Sequence, residues 1–194
     1  DAAILMNPKA WEASGHVAGF SDPMVECSNC KGRFREDHLV VDMFDKDIPA
    51  NDEYRLHIKC PSCGKKGTMG KAKQFNMMFA TKAGAVDDAS ATVYLRPETA
   101  GGMFVNFKNI IDSFHPKLPF GMAQIGKAFR NEIAPRDFVF RVREFEQMEV
   151  EYFVRPADWE KSFDEWQEKM HAFAKAVGLP SERVHELEVA DGDR

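Results

Sequence analysis

Two runs of alternating residues, 124–132 and 145–154, constrain this sequence more than any other feature. Successive side chains of a strand point to opposite faces, so each run predicts a strand, and the charged stretch between them predicts a loop. On the second run we expect one face, with Met148, Val150 and Val154, to be buried. The opposite face carries an aromatic ring, an amide and two carboxylates, namely Phe145, Gln147, Glu149 and Glu151. Such a face is costly to bury unless a ligand or partner satisfies it, so chemistry is expected there.

The residues around this hairpin suit a nucleotide and an amino compound. Arg130 and Glu132 point the same way on the first strand, and a guanidinium fork binds phosphate oxygens in pairs. Glu132 can accept a hydrogen bond from an exocyclic amine, and Phe145 can stack on a flat heterocycle. Glu98 and Glu149 can hold an ammonium group.

The same face also has a simpler interpretation. It could be an exposed sheet face covered by salt bridges, each of which contributes little to stability. The sequence offers no glycine-rich phosphate loop, because Gly101 and Gly102 lack the GxxxxGK pattern. Residue spacing alone leaves both interpretations open.

Four cysteines form two Cys-x-x-Cys pairs, Cys27 with Cys30 and Cys60 with Cys63. Two such pairs let four thiolates converge tetrahedrally on one Zn²⁺, and a closed four-cysteine site is structural rather than catalytic. Free or disulfide-bonded cysteines are the alternative. The connecting stretch is longer than in common zinc ribbons, so we predict a small zinc-ribbon-like insertion over residues 27–67, in a reducing compartment.

Composition narrows the class of protein. The chain has 194 residues, 44% of them hydrophobic and 29% charged, as in ordinary globular domains with a real core. No apolar run approaches the ~18 residues that a membrane span needs, so no membrane association is expected. A net charge of −5 argues against a general polyanion binder, although a local basic groove stays possible.

The first 26 residues predict a short helix. Asn7 and Pro8 break an apolar segment, and Pro8 suits the first turn of a helix over residues 9–14 that Gly15 ends. His16 follows in a loop-like run, and we interpret it as a hydrogen-bonded structural histidine.

Two longer amphipathic helices are predicted, over residues 98–115 and 158–177. Thr99 suits the N-cap of the first, and Glu98 precedes its N-terminus, where the helix dipole favours a carboxylate by ~0.3–1 kcal/mol. Helix capping and ligand binding explain a glutamate at position 98 equally well. Asp158 suits the N-cap of the second helix. The apolar stripe of that helix, which we assign to core or interface, comprises Trp159, Phe163, Trp166, Met170 and Phe173.

Several motifs together resemble one family. The pair FRNE at 129–132 and REFEQME at 143–149 resembles motif 2 of class II aminoacyl-tRNA synthetases. Motif 2 alone indicates only the class. The combination resembles the homodimeric glycyl-tRNA synthetases, with LRPETA at 95–100, FVNFKN at 104–109, QFNMMF at 74–79 and ASGH at 13–16. The likeness covers nearly the whole chain, including the cysteine insertion.

The resemblance implies an α+β fold with an antiparallel sheet flanked by helices. Residues 1–26 and 68–194 would form the catalytic core, and residues 27–67 the four-cysteine zinc-binding insertion. The implied reaction is ATP-dependent activation of glycine to glycyl-adenylate, followed by transfer to the 3′ end of tRNA(Gly). ATP with Mg²⁺, glycine and tRNA are the implied ligands, structural Zn²⁺ the second metal, a homodimer the assembly and the cytoplasm the location.

The resemblance also assigns residues. Arg130 and Glu132 would be the catalytic pair, with Arg130 on the α-phosphate and the glycine carboxylate, and Glu132 on the adenine amino group. The implied ATP site comprises Arg130, Asn131, Glu132, Phe140, Arg141, Val142, Arg143, Glu144 and Phe145. The implied glycine site comprises Arg35, Glu98, Phe145, Glu146, Gln147, Met148 and Glu149.

The sequence departs from the family pattern in places. Gly101 stands where the family normally has Gln, and motif 3, most of motif 1 and the anticodon-binding domain are not recognisable. We therefore expect a catalytic-core fragment or relic whose activity is impaired. Two alternatives follow: a synthetase-like zinc-ribbon module that binds RNA or protein without catalysis, and an enzyme that activates glycine for an acceptor other than tRNA.

Overall fold

The structure is a computed structural model that describes residues 1–44, 52–85, 91–187 and 189. Residues 45–51, inside the predicted insertion, and residues 86–90, 188 and 190–194, inside the predicted core, lie outside the described residues. The chain divides into two compact units, residues 1–114 with 122–151 and residues 115–121 with 152–194. The predicted division at residues 27 and 67 stays a prediction.

The elements alternate between short strands and helices, in an α+β arrangement. The strands are β1 (Leu5–Met6), β2 (Ser21–Glu26), β3 (Arg33–Arg35), β4 (Lys73–Asn76), β5 (Ala80–Lys82), β6 (Thr92–Leu95), β7 (Phe120–Phe129) and β8 (Glu144–Phe153). The helices are α1 (Pro8–Ala13), α2 (His16–Gly19), α3 (Glu36–Phe44), α4 (Ala100–Phe114) and α5 (Trp159–Ala176). Among the described residues, 3₁₀ turns span Asp52–Leu56, Pro156–Asp158 and Ser181–Arg183.

The N-terminal segment packs on a three-stranded antiparallel sheet of order β1-β6-β5. The Asn7 side chain accepts a hydrogen bond from the Lys9 backbone N–H, and Pro8 occupies the first turn of α1, so the predicted short helix is confirmed. Trp11, 1% exposed, packs with Met6 and Met78 in the core of this sheet.

A second antiparallel sheet, of order β3-β2-β4, lies beside the cysteines. Its core contains two of them and the residues packed around them, namely Val25, Cys27, Leu39, Val40, Tyr54, Ile58, Cys60 and Met69. Strand β2 therefore connects this core to β4, which lies in the predicted catalytic segment.

The two long strands β7 and β8 pair as predicted, but with different ends. Strand β7 ends at Phe129, so the prediction that Arg130 and Glu132 lie on a strand is wrong. The Arg130 N–H donates to the Arg143 carbonyl, after which the Asn131 N–H donates to the Met77 carbonyl. The chain leaves the hairpin at this point because its next partner belongs to another segment.

The burial of the β8 faces is the reverse of the prediction. Met148 is 65% exposed and Val150 48% exposed, so the expected apolar face is not covered among the described residues. Val154, which follows the strand, is half-buried. The polar face is half-buried instead, at Phe145, Gln147, Glu149 and Glu151. The physical reason is that the Glu149 carboxylate on this face accepts hydrogen bonds from another segment of the chain, as the site geometry below describes.

Helix α4 lies where the apolar periodicity predicts it, and begins at Ala100. Its buried side is formed by Gly102 and Met103, whereas Phe104 and Phe114 are 55% and 75% exposed. Its N-terminus is bonded by a carboxylate from β8 rather than by local residues alone, as described below.

The second unit contains α5 and the adjoining turns. Within it, the Phe120 and Phe153 rings stack at 5.1 Å, and Tyr152 meets Trp166 edge-on at 5.3 Å. Asp158 occupies the N-cap position of α5, as predicted, but its side chain makes no capping hydrogen bond. Of the stripe assigned to core or interface, Trp159, Phe163, Met170 and Phe173 are 54–64% exposed, so they do not lie in the core of the described residues, and the interface assignment stays a prediction. Among the described residues, no helix combines the length and apolar character that crossing a membrane requires.

Candidate functional site

A cavity of the first unit opens beside the hairpin loop and has a volume of about 610 Å³. It is lined by Phe20, Asp22, Arg35, Met77, Arg130, Glu132, Asp137, Val139, Phe140, Arg141, Val142, Phe145 and Glu146. The structure thus brings together most of the predicted ATP residues and Arg35. Phe20, Asp22 and Met77 were not predicted, because no motif links them to residues so far along the chain.

Arg130 occupies the wall of this cavity in a defined orientation. Its Nε donates to the Pro97 carbonyl at 3.2 Å. Its guanidinium carbon lies 5.3 Å from the centroid of the Phe145 ring and 5.5 Å from that of Phe20. Two aromatic rings and one carbonyl therefore fix the side chain, which leaves its terminal nitrogens to meet an anion.

Glu132 lines the same cavity and is 8% exposed. Its carboxylate faces the Arg141 guanidinium at 3.5 Å. Arg143 donates from Nε and Nη2 to the Glu132 backbone carbonyl at 3.1 and 3.0 Å. Arg143 therefore secures the chain where it leaves β7, whereas Arg141 faces the cavity.

Arg35 ends β3 and enters the cavity between two carboxylates. Its Nη1 lies 2.7 Å from Asp22 Oδ2, and its Nη2 donates to Asp37 Oδ2 at 2.6 Å. The hydrogen bond that Arg35 donates to the Asp37 carboxylate is the main cause that raises the pKa of Arg35. A permanently charged cation is thus held at the cavity rim.

A second group of carboxylates surrounds the start of α4. Glu149 Oε2 accepts from the Thr99 N–H at 2.9 Å, from the Ala100 N–H at 2.7 Å and from the Thr99 hydroxyl. Burial, followed by repulsion from Glu149 and Glu98, raises the pKa of Glu151. Three carboxylates therefore share one negative field, which a cation would relieve.

The remaining predicted glycine residues lie on different faces of β8. Gln147 is half-buried, and its Oε1 is buried without a hydrogen-bond partner among the described residues. Met148 lies on the exposed face, away from Gln147 and Glu149. Glu146 borders the cavity and lies 3.9 Å from Lys127 Nζ, whereas Glu144, exposed, lies 3.3 Å from the same amine.

The four cysteines converge, as their spacing predicts. Their Sγ atoms all lie within 4.8 Å of one another, with Cys27 and Cys63 3.8 Å apart and Cys30 and Cys60 3.6 Å apart. All four are free thiols, which excludes the disulfide alternative in this structure. A tetrahedral ion with Zn–S bonds of about 2.3 Å would separate its sulfurs by about 3.8 Å, so the cluster fits the metal.

A buried carboxylate, Glu36, makes polar contacts beside the core that contains the cysteines. Glu36, 4% exposed, accepts from the Tyr54 hydroxyl and from Arg55 at 2.6 Å. Burial and the hydrogen bond with Glu36 raise the pKa of Tyr54 to about 12. The contacts of Glu36 therefore join helix α3 to the 3₁₀ turn Asp52–Leu56.

Comparison with known proteins identifies a family that matches this chain. Residues 75–193 match the family described as "tRNA synthetase class II core domain (G, H, P, S and T)". A glycine--tRNA ligase of Treponema denticola is 50% identical over 184 residues, which cover 95% of this chain and 38% of that protein. The corresponding protein of Alkaliphilus oremlandii is 49% identical over 196 residues, covering 95% and 42%. That of Malacoplasma penetrans is 50% identical over 181 residues, covering 89% and 39%.

Among solved structures, the RNA-binding domain of a threonyl-tRNA synthetase from Cryptosporidium parvum Iowa II aligns with a TM-score of 0.43 and 24% identity. The alignment covers 53% of this chain and 24% of that one, a likeness too weak to define a shared fold. The chain spans about two fifths of the length of the curated relatives it matches. The family match, which covers more than half of the sequence, places this chain in the class II tRNA synthetase core-domain family.

Proposed function

We propose that this chain is part of a glycine--tRNA ligase and carries the half-site that activates glycine with ATP. The observation that supports this most directly is the orientation of Arg130, fixed by Phe145, Phe20 and the Pro97 carbonyl at the wall of a 610 Å³ cavity. The reaction needs no protein nucleophile. It needs in-line alignment and stabilisation of charge at a phosphorus atom, which an immobilised guanidinium supplies.

The ATP side uses the cavity around the hairpin loop. Arg130 binds the α-phosphate, Glu132 accepts from the adenine amino group, and Phe145 stacks on the ring. Arg141 extends the cationic wall, and Asn131, Phe140, Val142, Arg143 and Glu144 complete or support it. Mg²⁺ accompanies ATP, bound chiefly by the substrate phosphates, and neutralises part of their charge.

The glycine side uses the carboxylates beside α4. Glu98 and the free oxygen of Glu149 hold the ammonium group, while the other Glu149 oxygen caps the helix. The unpartnered Gln147 Oε1 offers a further acceptor. Phe145 and Glu146 form the wall between the two halves, Arg35 lies at the rim, and Met148 supports the strand from its other face.

The proposed reaction then proceeds in two steps, adenylate formation and transfer to tRNA. A glycine carboxylate oxygen attacks the α-phosphorus, a new P–O bond forms, and the bond to pyrophosphate breaks. Arg130 stabilises the charge on the α-phosphate during this displacement. In the second step a ribose hydroxyl of tRNA attacks the glycyl carbonyl carbon, and AMP departs with the bonding electron pair.

We further propose that Cys27, Cys30, Cys60 and Cys63 hold a structural Zn²⁺. The ion would crosslink the two cysteine knuckles, which the surrounding core also holds together. The resemblance to homodimeric glycyl-tRNA synthetases further implies a homodimer, tRNA(Gly) as acceptor and a cytoplasmic location for the complete protein. Analytical ultracentrifugation tests the homodimer directly.

The activity is tested by glycine-dependent ATP–pyrophosphate exchange on the purified chain, with binding of ATP and glycine measured by calorimetry. Arg130→Ala should lower the exchange rate by roughly 10²–10³-fold, the usual effect of removing one charge-stabilising donor. Arg155→Ala removes an exposed arginine of the second unit and is the matched control.

The outcomes are distinct. Exchange that survives Arg130→Ala would remove Arg130 from the mechanism. If the wild-type chain shows neither exchange nor ATP binding, the proposed activity fails for this chain. Charging of tRNA(Gly) after exchange distinguishes a ligase from an enzyme with another acceptor.

A further inference from the structure

The N-terminal segment carries a histidine that the proposed mechanism leaves without a role. His16 begins α2, and its side chain is 18% exposed. Its Nδ1 lies 2.8 Å from the Ser14 hydroxyl, and its Nε2 lies 3.6 Å from Glu98 Oε2. Ser14, His16 and Glu98 therefore contact one another in succession, and the last of them is the carboxylate proposed to bind the substrate ammonium.

The imidazole ring is held by its neighbours. Trp11 meets it edge-on, with ring centroids 5.2 Å apart, and Phe20 lies at 5.6 Å. Gly15, with φ of 81°, makes the turn that places the ring between them. Because Trp11 is 1% exposed, the ring has little freedom to turn away from Glu98.

The contact between His16 and Glu98 is electrostatic rather than a direct hydrogen bond. A separation of 3.6 Å is too long for one, although a water or a small shift could close it. The Ser14 hydroxyl also lies 3.3 Å from the Trp11 carbonyl, and its contact with Nδ1 is the shorter of the two. When Ser14 donates to Nδ1, the neutral ring carries its proton on Nε2, facing the carboxylate. In that tautomer a donor is aimed at Glu98.

The backbone around Glu98 is secured on both sides. The Pro97 carbonyl accepts from Arg130, and Thr99 donates to Glu149. Among the described residues, the polar contact of the Glu98 side chain is with His16, and the carboxylates of Glu98 and Glu151 repel each other. Without a positive or donor group nearby, this repulsion would displace the Glu98 carboxylate.

We infer that His16 is a positioning residue for glycine binding: it holds the Glu98 carboxylate in the orientation that receives the substrate ammonium. This inference rests on the proposed function, because it assumes that Glu98 binds glycine. It replaces the interpretation of His16 as a purely structural histidine. Phe20 couples the arrangement to the ATP side, since the same ring contacts both His16 and Arg130.

The test compares side chains that do and do not offer a donor at the Nε2 position. His16→Leu removes the donor, and His16→Asn places it near Nδ1, too short to reach Glu98. Both variants should raise the KM for glycine roughly tenfold, as expected for loss of one charge-assisted contact, with the KM for ATP unchanged. His16→Gln, whose amide reaches the Nε2 position, should restore most of the glycine affinity.

If His16 had a purely structural role, its substitution would change the KM values for glycine and for ATP together. The readouts are glycine and ATP dependence of exchange, and calorimetric binding of glycine to the chain saturated with a non-hydrolysable ATP analogue. Equal changes in both KM values, or equal glycine affinity for the Asn and Gln variants, would overturn the inference and leave the proposed function intact. If His16→Leu fails to fold, the Asn and Gln pair decides. Loss of exchange and binding in the wild type would instead be a failure of the proposed function.

Discussion

The cysteine cluster and the hairpin cavity lie in the same compact unit, yet they are built in opposite ways. Each cysteine knuckle is four residues long, and their thiols meet inside a core that the nearby chain provides. The cavity instead collects Phe20, Arg35 and Arg130 from three distant segments. One face of its hairpin stays uncovered among the described residues, at Met148 and Val150. The comparison teaches that a site made by local spacing is complete in itself, whereas a site made by long-range contacts depends on every segment that reaches it.

The strongest test of this comparison removes Cys60, a proposed zinc ligand that is 2% exposed. Cys60→Ser should abolish stoichiometric zinc binding and lower the free energy of unfolding by several kcal/mol, because structural zinc contributes a large folding free energy. Metal content by mass spectrometry and thermal unfolding with and without chelator measure the effect. Ser62→Ala, an exposed position in the same knuckle, is the control. A wild-type chain that purifies without metal and ignores chelator would contradict the zinc proposal.

The next test asks whether the polar face of β8 is structural as well as functional. Glu149→Ala leaves the donors of Thr99 and Ala100 unpaired at the start of α4. The free energy of unfolding should fall by roughly 1–3 kcal/mol. Glu146→Ala, on the same strand with a side chain 72% exposed, should change it by less than about 0.5 kcal/mol. Urea denaturation compares the two, and equal losses would refute the capping role.

A smaller effect is expected at Gly101, where the sequence departs from the family. A Cβ there would lie 2.7 Å from Trp11 Cζ3 and 2.8 Å from Cη2. Gly101→Ala should therefore cost about 1–3 kcal/mol in overpacking, offset by about 1 kcal/mol of helix propensity. Gly19→Ala is the control, because nothing lies within 4 Å of its Cβ position. A more stable Gly101→Ala variant would mean that Trp11 repacks freely.

The smallest effect concerns pH. Burial and the neighbouring carboxylates raise the pKa of Glu151, so the protonated form is favoured in the folded chain. Its contribution to stability is present below the unfolded pKa of about 4.3 and is lost as pH rises through the raised value. Glu151→Gln should therefore stabilise the chain at pH 7 and have little effect near pH 4. Thermal unfolding at the two pH values measures this, and an equal shift at both would contradict it.

Much of the site could be predicted because its residues carry local patterns. The cysteine pairs have metal-ligand spacing, α4 has helical periodicity, and motif 2 places Arg130, Glu132 and Phe145 close in sequence. Phe20 and Asp22 could not be predicted, because no local pattern indicates that β2 passes the hairpin loop. Alternation also failed beyond Phe129, where a hydrogen bond to Met77 replaces the ladder.

The sequence by itself determined most of the strands and helices and the two cysteine knuckles, because those depend on propensity and spacing within a few residues. Only the tertiary structure decided which face of β8 is covered, that Glu149 caps α4, and that His16 meets Glu98. Alternation separates two faces but does not say which one finds a partner. That choice is made where a distant helix N-terminus offers unpaired donors to a carboxylate, since satisfying those groups outweighs the burial of a methionine and a valine.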